Sequence, residues 1–285
     1  MSVLGLTKDG QEVPTTGEDD MGDLVIVIPT YGRVGKQRTL SRFPAQLRNN
    51  IILLIRKEET GLHHHNNTLV LPNAYSNGIG KARQFALEYF SRSKLLFLDD
   101  DLVFAEWKSA QKSYLTIPAE DDRHHEILAW VEYWLDNGLA HCTIGCRQMA
   151  DKHAGVDKVA GRAMRAMAFD CPTLHKHKIR FDTIDLMCDY YATLSLLTKG
   201  YPNVICYQWV QDDMSRSNAL GGCSTYRSAE LQERTAKQLQ AKFPDFVTVV
   251  QRKVGNGYWK GMQTRTDVRV SWKKAYQAGK ARRDQ

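Results

Sequence analysis

Three consecutive carboxylates, Asp99-Asp100-Asp101, follow directly on the apolar run Leu95-Leu96-Phe97-Leu98. Adjacent acids repel one another, so a triplet at the end of a buried strand is costly unless water or a cation screens it. Such an all-oxygen donor set suits Mg2+ or Mn2+, which keep part of their water and share ligands with substrate phosphates. A second chemistry lies in residues 251–285, where ten Lys and Arg stand against two Asp. Arg252, Lys253, Trp259, Lys260, Arg265, Arg269, Lys273 and Lys274 interleave cations with aromatics. That composition tracks a phosphate backbone and stacks on bases, which makes these residues candidate nucleic-acid contacts. The plainer alternative is a solvated basic tail whose Tyr258, Trp259 and Trp272 pack on the core.

The elements that must position these groups are legible in the hydrophobic pattern. Leu24 to Ile28, ended by Pro29, is a β-branched run of the kind found in fully buried strands. Ile51 to Ile55 is a second such strand, Leu69 to Leu71 a short third, and Leu95 to Leu98 another. Residues 80–92 place Ala82, Phe85, Ala86, Tyr89 and Phe90 on one helical stripe. Residues 124–137 predict an amphipathic helix stopped by Gly138, with Trp130, Val131 and Trp134 in the core. Further helices are expected over 189–199 and 228–243, and a strand over 203–209. Strands alternating with helices in the first part of the chain predict an α/β fold with a mostly parallel central sheet flanked by helices. A ligand then belongs at the carboxyl ends of the strands.

The chain has 285 residues, a formal net charge of +7 and 42% hydrophobic residues. It can bury a real core, which excludes low-complexity disorder, collagen and disulfide-stapled miniproteins. The basic excess sits at one end, because residues 1–23 carry one Lys against six acids. The expected organisation is a flexible acidic arm over 1–22, one α/β domain over 23–250 and a basic C-terminal segment over 251–285. The first residues lack a signal-peptide layout, and no apolar run reaches the length of a membrane span. No C-x-x-C pair occurs among the six cysteines, which read as buried, reduced thiols. The expected setting is cytoplasmic. The run His63-His64-His65 reads as a loop.

Several familiar sites fail on spacing. Gly35-Lys36 and Gly80-Lys81 both lack the first glycine and the final Ser or Thr of a phosphate-binding P-loop. No G-x-G-x-x-G follows the first strand, and no G-x-S-x-G elbow is present. Three other segments do occur together and in order. They are Val27-Ile28-Pro29-Thr30-Tyr31-Gly32-Arg33, Asn77-Gly78-Ile79-Gly80-Lys81-Ala82-Arg83, and Leu96-Phe97-Leu98-Asp99-Asp100-Asp101. In this combination the chain resembles the glycosyltransferases of GT-A fold. With its small size, the segment Leu220-Gly221-Gly222-Cys223-Ser224-Thr225-Tyr226-Arg227 and the basic C-terminus, it looks most like the TET-associated glycosyltransferases of phages.

The resemblance makes residues 23–250 the glycosyltransferase domain and implies roles. Pro29, Thr30, Tyr31 and Arg33 would cradle the nucleotide of a UDP-sugar. Gly80, Lys81 and Arg83 would support its diphosphate, and Asp99 would contact ribose or base. Asp101, helped by Asp100, would hold Mn2+ or Mg2+. The stretch Asp182-Thr183-Ile184-Asp185-Leu186-Met187-Cys188-Asp189 is similar to the acidic segment that supplies the catalytic base in inverting members. Asp185 and Asp189 are both candidates, and Asp189 is favoured because it opens a helix. No His follows His177, so the late His that often ligates the metal in this fold is missing. One base implies inversion at the anomeric carbon, with retention left open. The implied acceptor is a hydroxymethylated pyrimidine in DNA, such as 5-hydroxymethylcytosine. Two other readings remain: a glycosyltransferase acting on a glycan, lipid or protein, and a non-catalytic nucleic-acid-binding domain of GT-A-like fold.

Overall fold

The apolar runs become neighbouring strands of one sheet. The structure, a computed structural model, describes residues 24–150, 152–213, 222–253 and 264–284. The strands of the main sheet are β1 (Leu24–Pro29), β2 (Ile51–Ile55), β3 (Thr68–Val70), β4 (Lys94–Leu98), β5 (Leu102–Lys108), β6 (Ser113–Thr116), β7 (His141–Cys146), β8 (Lys158–Val159), β9 (Ala166–Asp170) and β10 (Asn203–Asp213). Their order is β3-β2-β1-β4-β9-β7-β10-β5-β6, with β8 alongside β10. The helices are α1 (Ala45–Arg48), α2 (Ile79–Tyr89), α3 (Arg123–Asp136), α4 (Cys171–Lys176), α5 (Cys188–Leu197), α6 (Ala229–Lys242) and α7 (Trp272–Arg283). A separate antiparallel ribbon pairs β11 (Val247–Lys253) with β12 (Thr264–Val270).

The sheet flanked by helices is the expected α/β architecture. It is mixed. β3, β2, β1 and β4 form a parallel block, and β7 also runs parallel to β10. β9 enters antiparallel between β4 and β7, and β5 returns antiparallel along β10.

Strand alternation sorts the side chains into two cores. Ile26, Ile28, Leu53, Leu96 and Leu98 join Phe43 and the α3 residues Ile127, Leu128, Val131 and Leu135 on one face. Val27, Leu54, Leu95 and Phe97 join α2, α4 and α5 on the other, through Ala82, Ala86, Leu87, Leu174, Ala192 and Leu196. Trp130 and Trp134 cover the rim of the first core rather than fill it. Both faces are covered, which is why β1, β2 and β4 read as continuous apolar runs.

A third core lies beyond the sheet. Tyr190, Leu194 and Leu197 of α5 meet Ala236 and Leu239 of α6, Val247 and Val268 of the ribbon, and Ala275 of α7. The basic C-terminal residues are therefore carried by packed elements, and the boundary expected at residue 250 falls inside β11. α7 docks so closely on α5 that a Cβ at Gly279 would stand 2.2 Å from the Leu197 carbonyl oxygen.

Candidate active site

β1 and β4 are neighbours in register, so the loop after Pro29 and the turn after Leu98 emerge side by side. The turn is Asp99-Asp100-Asp101. Thr39 holds it, its Oγ1 donating to the Asp99 carbonyl and accepting from the Leu102 N–H at 2.8 Å. Thr30 Oγ1 donates to Asp100 Oδ2 at 2.7 Å, and the Arg33 guanidinium binds Asp100 and reaches Asp101 at 3.0 Å. Gly32, at φ 67°, donates its N–H to the buried Glu59 carboxylate at 2.7 Å, so the loop between Thr30 and Arg33 is braced from β2's side. The Arg56 guanidinium lies over the Tyr31 ring, 3.4 Å from its centroid.

These loops line a cleft of about 440 Å3. Asp99, Asp100 and Asp101 line it together with Pro29, Thr30, Tyr31, Arg33, Arg83 and Asp189. Arg83 is buried beneath it, donating to Asp99 at 3.0 Å and to the Cys188 sulfur at 3.3 Å. Gly80 and Lys81 do not line the cleft. Lys81 is exposed, and Gly80 is a packing glycine whose added Cβ would meet the Phe181 carbonyl oxygen at 2.6 Å. The first N–H of α2, that of Ile79, is taken by the Tyr226 hydroxyl at 3.1 Å. Of the two acids offered for proton transfer, Asp189 faces the cleft from the first turn of α5. Asp185 lies outside it, half exposed and paired with Arg234 at 2.7 Å.

Strand register adds three residues that motif spacing did not single out. Ala166 pairs with Leu98, so Arg165 stands beside Asp99, whose N–H donates to the Arg165 carbonyl at 3.0 Å. Asp213 pairs with Leu102, so it stands next to the acid turn, where Arg165 binds it at 2.7 Å. Arg162 lines the cleft near Asp189, at 3.8 Å. Arg162 and Arg165 are isolated cations in an unremarkable stretch, whereas Asp213 did carry a sequence signal, since the pair Asp212-Asp213 ends a long apolar-rich strand.

Burial sets the electrostatics. It pushes the Asp100 carboxyl up to about 6, against the pull of Arg33 and the Thr30 hydrogen bond. Asp99 is also raised by burial, with Arg83 opposing. Asp213 is raised by burial, Arg165 opposing and Asp101 adding to the rise. Burial lowers Arg33, but Asp100 and Asp101 more than reverse this and leave it above its ordinary value. Burial lifts the Cys188 thiol to about 11, so it stays a neutral partner of Arg83.

Among the described residues no three His, Cys, Asp or Glu side chains converge as a closed metal cage. A magnesium-type ion asks for less, binding through one or two carboxylates, waters and substrate phosphates. The hard carboxylate donors at Asp101, Asp100 and Asp213 fit that open kind of site.

The ribbon borders the same cleft, with Arg265 and Asp267 in its lining. Arg252 and Arg265 are cross-strand partners, and both bind Asp267, at 3.2 and 3.1 Å. Arg269 shares their face by alternation, while Lys253 points the other way. Lys273 and Lys274 are exposed on α7, and Lys274 donates to the Asp245 carbonyl at 3.3 Å. Trp259 and Lys260 lie outside the described residues.

An acid turn and a ring of arginines at the carboxyl ends of parallel strands make a cleft for an anionic, phosphate-bearing ligand. Comparison with known proteins makes this specific. The chain belongs to the TET-Associated Glycosyltransferase family, whose model matches residues 24–222, and it is a glycosyltransferase. It is 24% identical over 237 residues to the Beta-glucosyl-HMC-alpha-glucosyl-transferase of Enterobacteria phage T6, covering 77% of this chain and 81% of the relative. The protein of the same name from Enterobacteria phage T2 matches over the same extent at 24% identity. Among solved structures it is similar to GalNAc-T7 with UDP, GalNAc and Mn2+, at 10% identity and a TM-score of 0.37, over 70% of this chain and 45% of that one. No helix among the described residues is long and apolar enough to cross a membrane.

Proposed function

We propose that this glycosyltransferase moves a sugar from a UDP-sugar to a hydroxymethylated pyrimidine in DNA. The observation that carries the reading is one cleft bounded by the Asp99–Asp101 turn, Asp189 and the arginine face of the ribbon. The loop of Thr30, Tyr31 and Arg33 holds the nucleotide, with the Tyr31 ring and Arg56 forming a stacked pair at the base end. Asp101, with Asp100 and Asp213 beside it, would hold Mn2+ or Mg2+. Bound there, the ion supplies Lewis-acid charge for the departing diphosphate. Asp189 accepts the proton of the acceptor hydroxyl as it attacks the anomeric carbon, which gives inversion. The target base must leave its stack to enter the cleft, and Arg252, Arg265 and Arg269 anchor the flanking phosphates.

The relatives favour a second reading of acceptor and stereochemistry. Their name describes transfer of an alpha-glucosyl group to beta-glucosyl-HMC. With HMC taken as hydroxymethylcytosine, that makes an already glucosylated base the acceptor. From an α-linked UDP-sugar it also makes the outcome retention. The test follows UDP release from a panel of UDP-sugars with unmodified, hydroxymethylated and β-glucosylated DNA. Release that depends on modified DNA supports the proposal, and the product anomer separates the two outcomes. Release that ignores DNA but responds to a glycan or protein acceptor would overturn it.

A further inference from the structure

The diphosphate of a nucleotide sugar is anionic and becomes more so as its bond to the sugar breaks. The cations legible in the sequence are poorly free to meet it. Arg33 is held by Asp100 and Asp101, Arg83 is buried between Asp99 and Cys188, and Lys81 lies outside the cleft.

Another source of charge is built into residues 160–165, between β8 and β9. Ala160 and Arg165 both adopt left-handed backbone, at φ 57° and 63°. Strain of this kind in residues other than glycine persists only where the surroundings impose it. The surroundings do so here. The fully buried Asn203 side chain grips Gly161, accepting from its N–H at 3.0 Å and donating to its carbonyl at 3.0 Å. A Cβ at Gly161 would stand 2.4 Å from the Ile205 side chain. At the other end the Asp99 N–H holds the Arg165 carbonyl at 3.0 Å.

The result is a rigid arm that directs two arginines into the cleft. Arg165 is paired with the single carboxylate of Asp213 at 2.7 Å, beside the acid turn, where Arg33 is shared by two, and it would meet phosphate by giving up that pairing. Arg162 packs over the Tyr190 ring, 4.3 Å from the centroid, and reaches only to 3.8 Å from Asp189. Its Nε is buried without a hydrogen-bond partner. A buried donor left unmet is costly, and a guanidinium fork is shaped to satisfy itself on phosphate oxygens.

We propose that residues 160–165 form the diphosphate-binding arm of the cleft, Arg162 and Arg165 gripping the phosphates of the nucleotide donor. The assignment rests on the nucleotide-sugar reading above. Arg162 then exchanges its long contact with Asp189 for phosphate, which frees the Asp189 carboxylate for the acceptor when the donor is in place.

NMR titration of the whole protein with UDP and with uridine tests this, on wild type, Arg162→Gln, Arg162→Lys and Arg165→Gln. Arg162→Gln should weaken UDP about tenfold or more and leave uridine within about twofold, with Arg162→Lys between wild type and Arg162→Gln. Arg165→Gln should show the same split. Unchanged UDP affinity in both glutamine variants overturns the assignment, as does a parallel loss of UDP and uridine, which signals a packing role. Weaker binding of a DNA oligonucleotide with intact UDP affinity also overturns it, by moving the arm to the acceptor. Failure of the wild type to bind UDP at all would instead sink the donor reading beneath it.

Discussion

Neighbouring acids in the 99–101 turn have different tasks. Asp100 is buried and latched by Thr30 and Arg33, joining the β1 loop to the turn. Asp101 keeps one contact with Arg33 and stands beside Asp213. Removing Asp100 leaves Arg33 with Asp101 alone and takes the acceptor from Thr30, so Asp100→Ala should destabilise the fold by about 2 kcal/mol in urea unfolding. Asp101→Ala should leave that midpoint nearly unchanged while lowering turnover by about 10³-fold, equivalent to about 4 kcal/mol of transition-state stabilisation. A variant pair with these effects exchanged would contradict the division of labour. The triplet was legible because three acids after an apolar run are chemically conspicuous. Arg162 and Arg165 were not, because the connection between β8 and β9 brings them to the cleft from a stretch with no local pattern, and Asp213 ends its strand in an acidic pair whose nearness to the 99–101 turn only the pairing of β10 with β5 reveals.

At the scale of elements, strands buried on both faces announced themselves and the others did not. β1, β2 and β4 are almost wholly aliphatic. β7 (HCTIGC) and β9 (AMAFD) are buried as deeply but carry His, Cys, Thr and Ala, and so have no strong strand signature. The ribbon's basic residues were legible as candidate nucleic-acid contacts, but not as a ribbon, because its charges alternate with valines and threonines in a pattern too mixed to announce a strand. That alternation also makes a prediction. Arg252→Ala combined with Arg269→Ala should lower DNA affinity and flatten its salt dependence by about two units of slope, with UDP affinity unchanged. Equal salt slopes for variant and wild type would remove the ribbon from the DNA path. The docking of α7 is testable at Gly279, where a methyl group would meet backbone at 2.2 Å from Leu197 and 2.5 Å from Gly200. Gly279→Ala should cost about 2 kcal/mol or more, measured by thermal or urea unfolding, since neither wall can retreat. A neutral effect would mean that α7 contributes little to the third core.

The molecule as a whole sandwiches its sheet between two apolar layers, and an ionisable group buried there contributes to its response to acid. His141 at the start of β7 is fully buried, stacks on Phe169 and has no hydrogen-bond partner for either ring nitrogen. Burial depresses it to about 3. Unfolding returns the imidazole to its ordinary range near 6.5, so between those values the unfolded chain binds the extra proton. Stability therefore falls as pH drops through that window, by up to about 1.4 kcal/mol per pH unit from this group. His141→Leu should flatten the slope of unfolding free energy between pH 6 and 4, reading those pH values as about the middle of that window. An unchanged slope would place the acid sensitivity elsewhere.

In the proposed function, this cleft glycosylates a pyrimidine in DNA. Mass spectrometry of nucleosides digested from hydroxymethylated and β-glucosylated DNA, after incubation with UDP-sugars and Mn2+ or Mg2+, tests it most directly. Wild type should give a new nucleoside heavier by one sugar residue, and Asp101→Ala should give none. Unaltered nucleosides from every modified DNA, alongside consumption of the UDP-sugar on another acceptor, would contradict it.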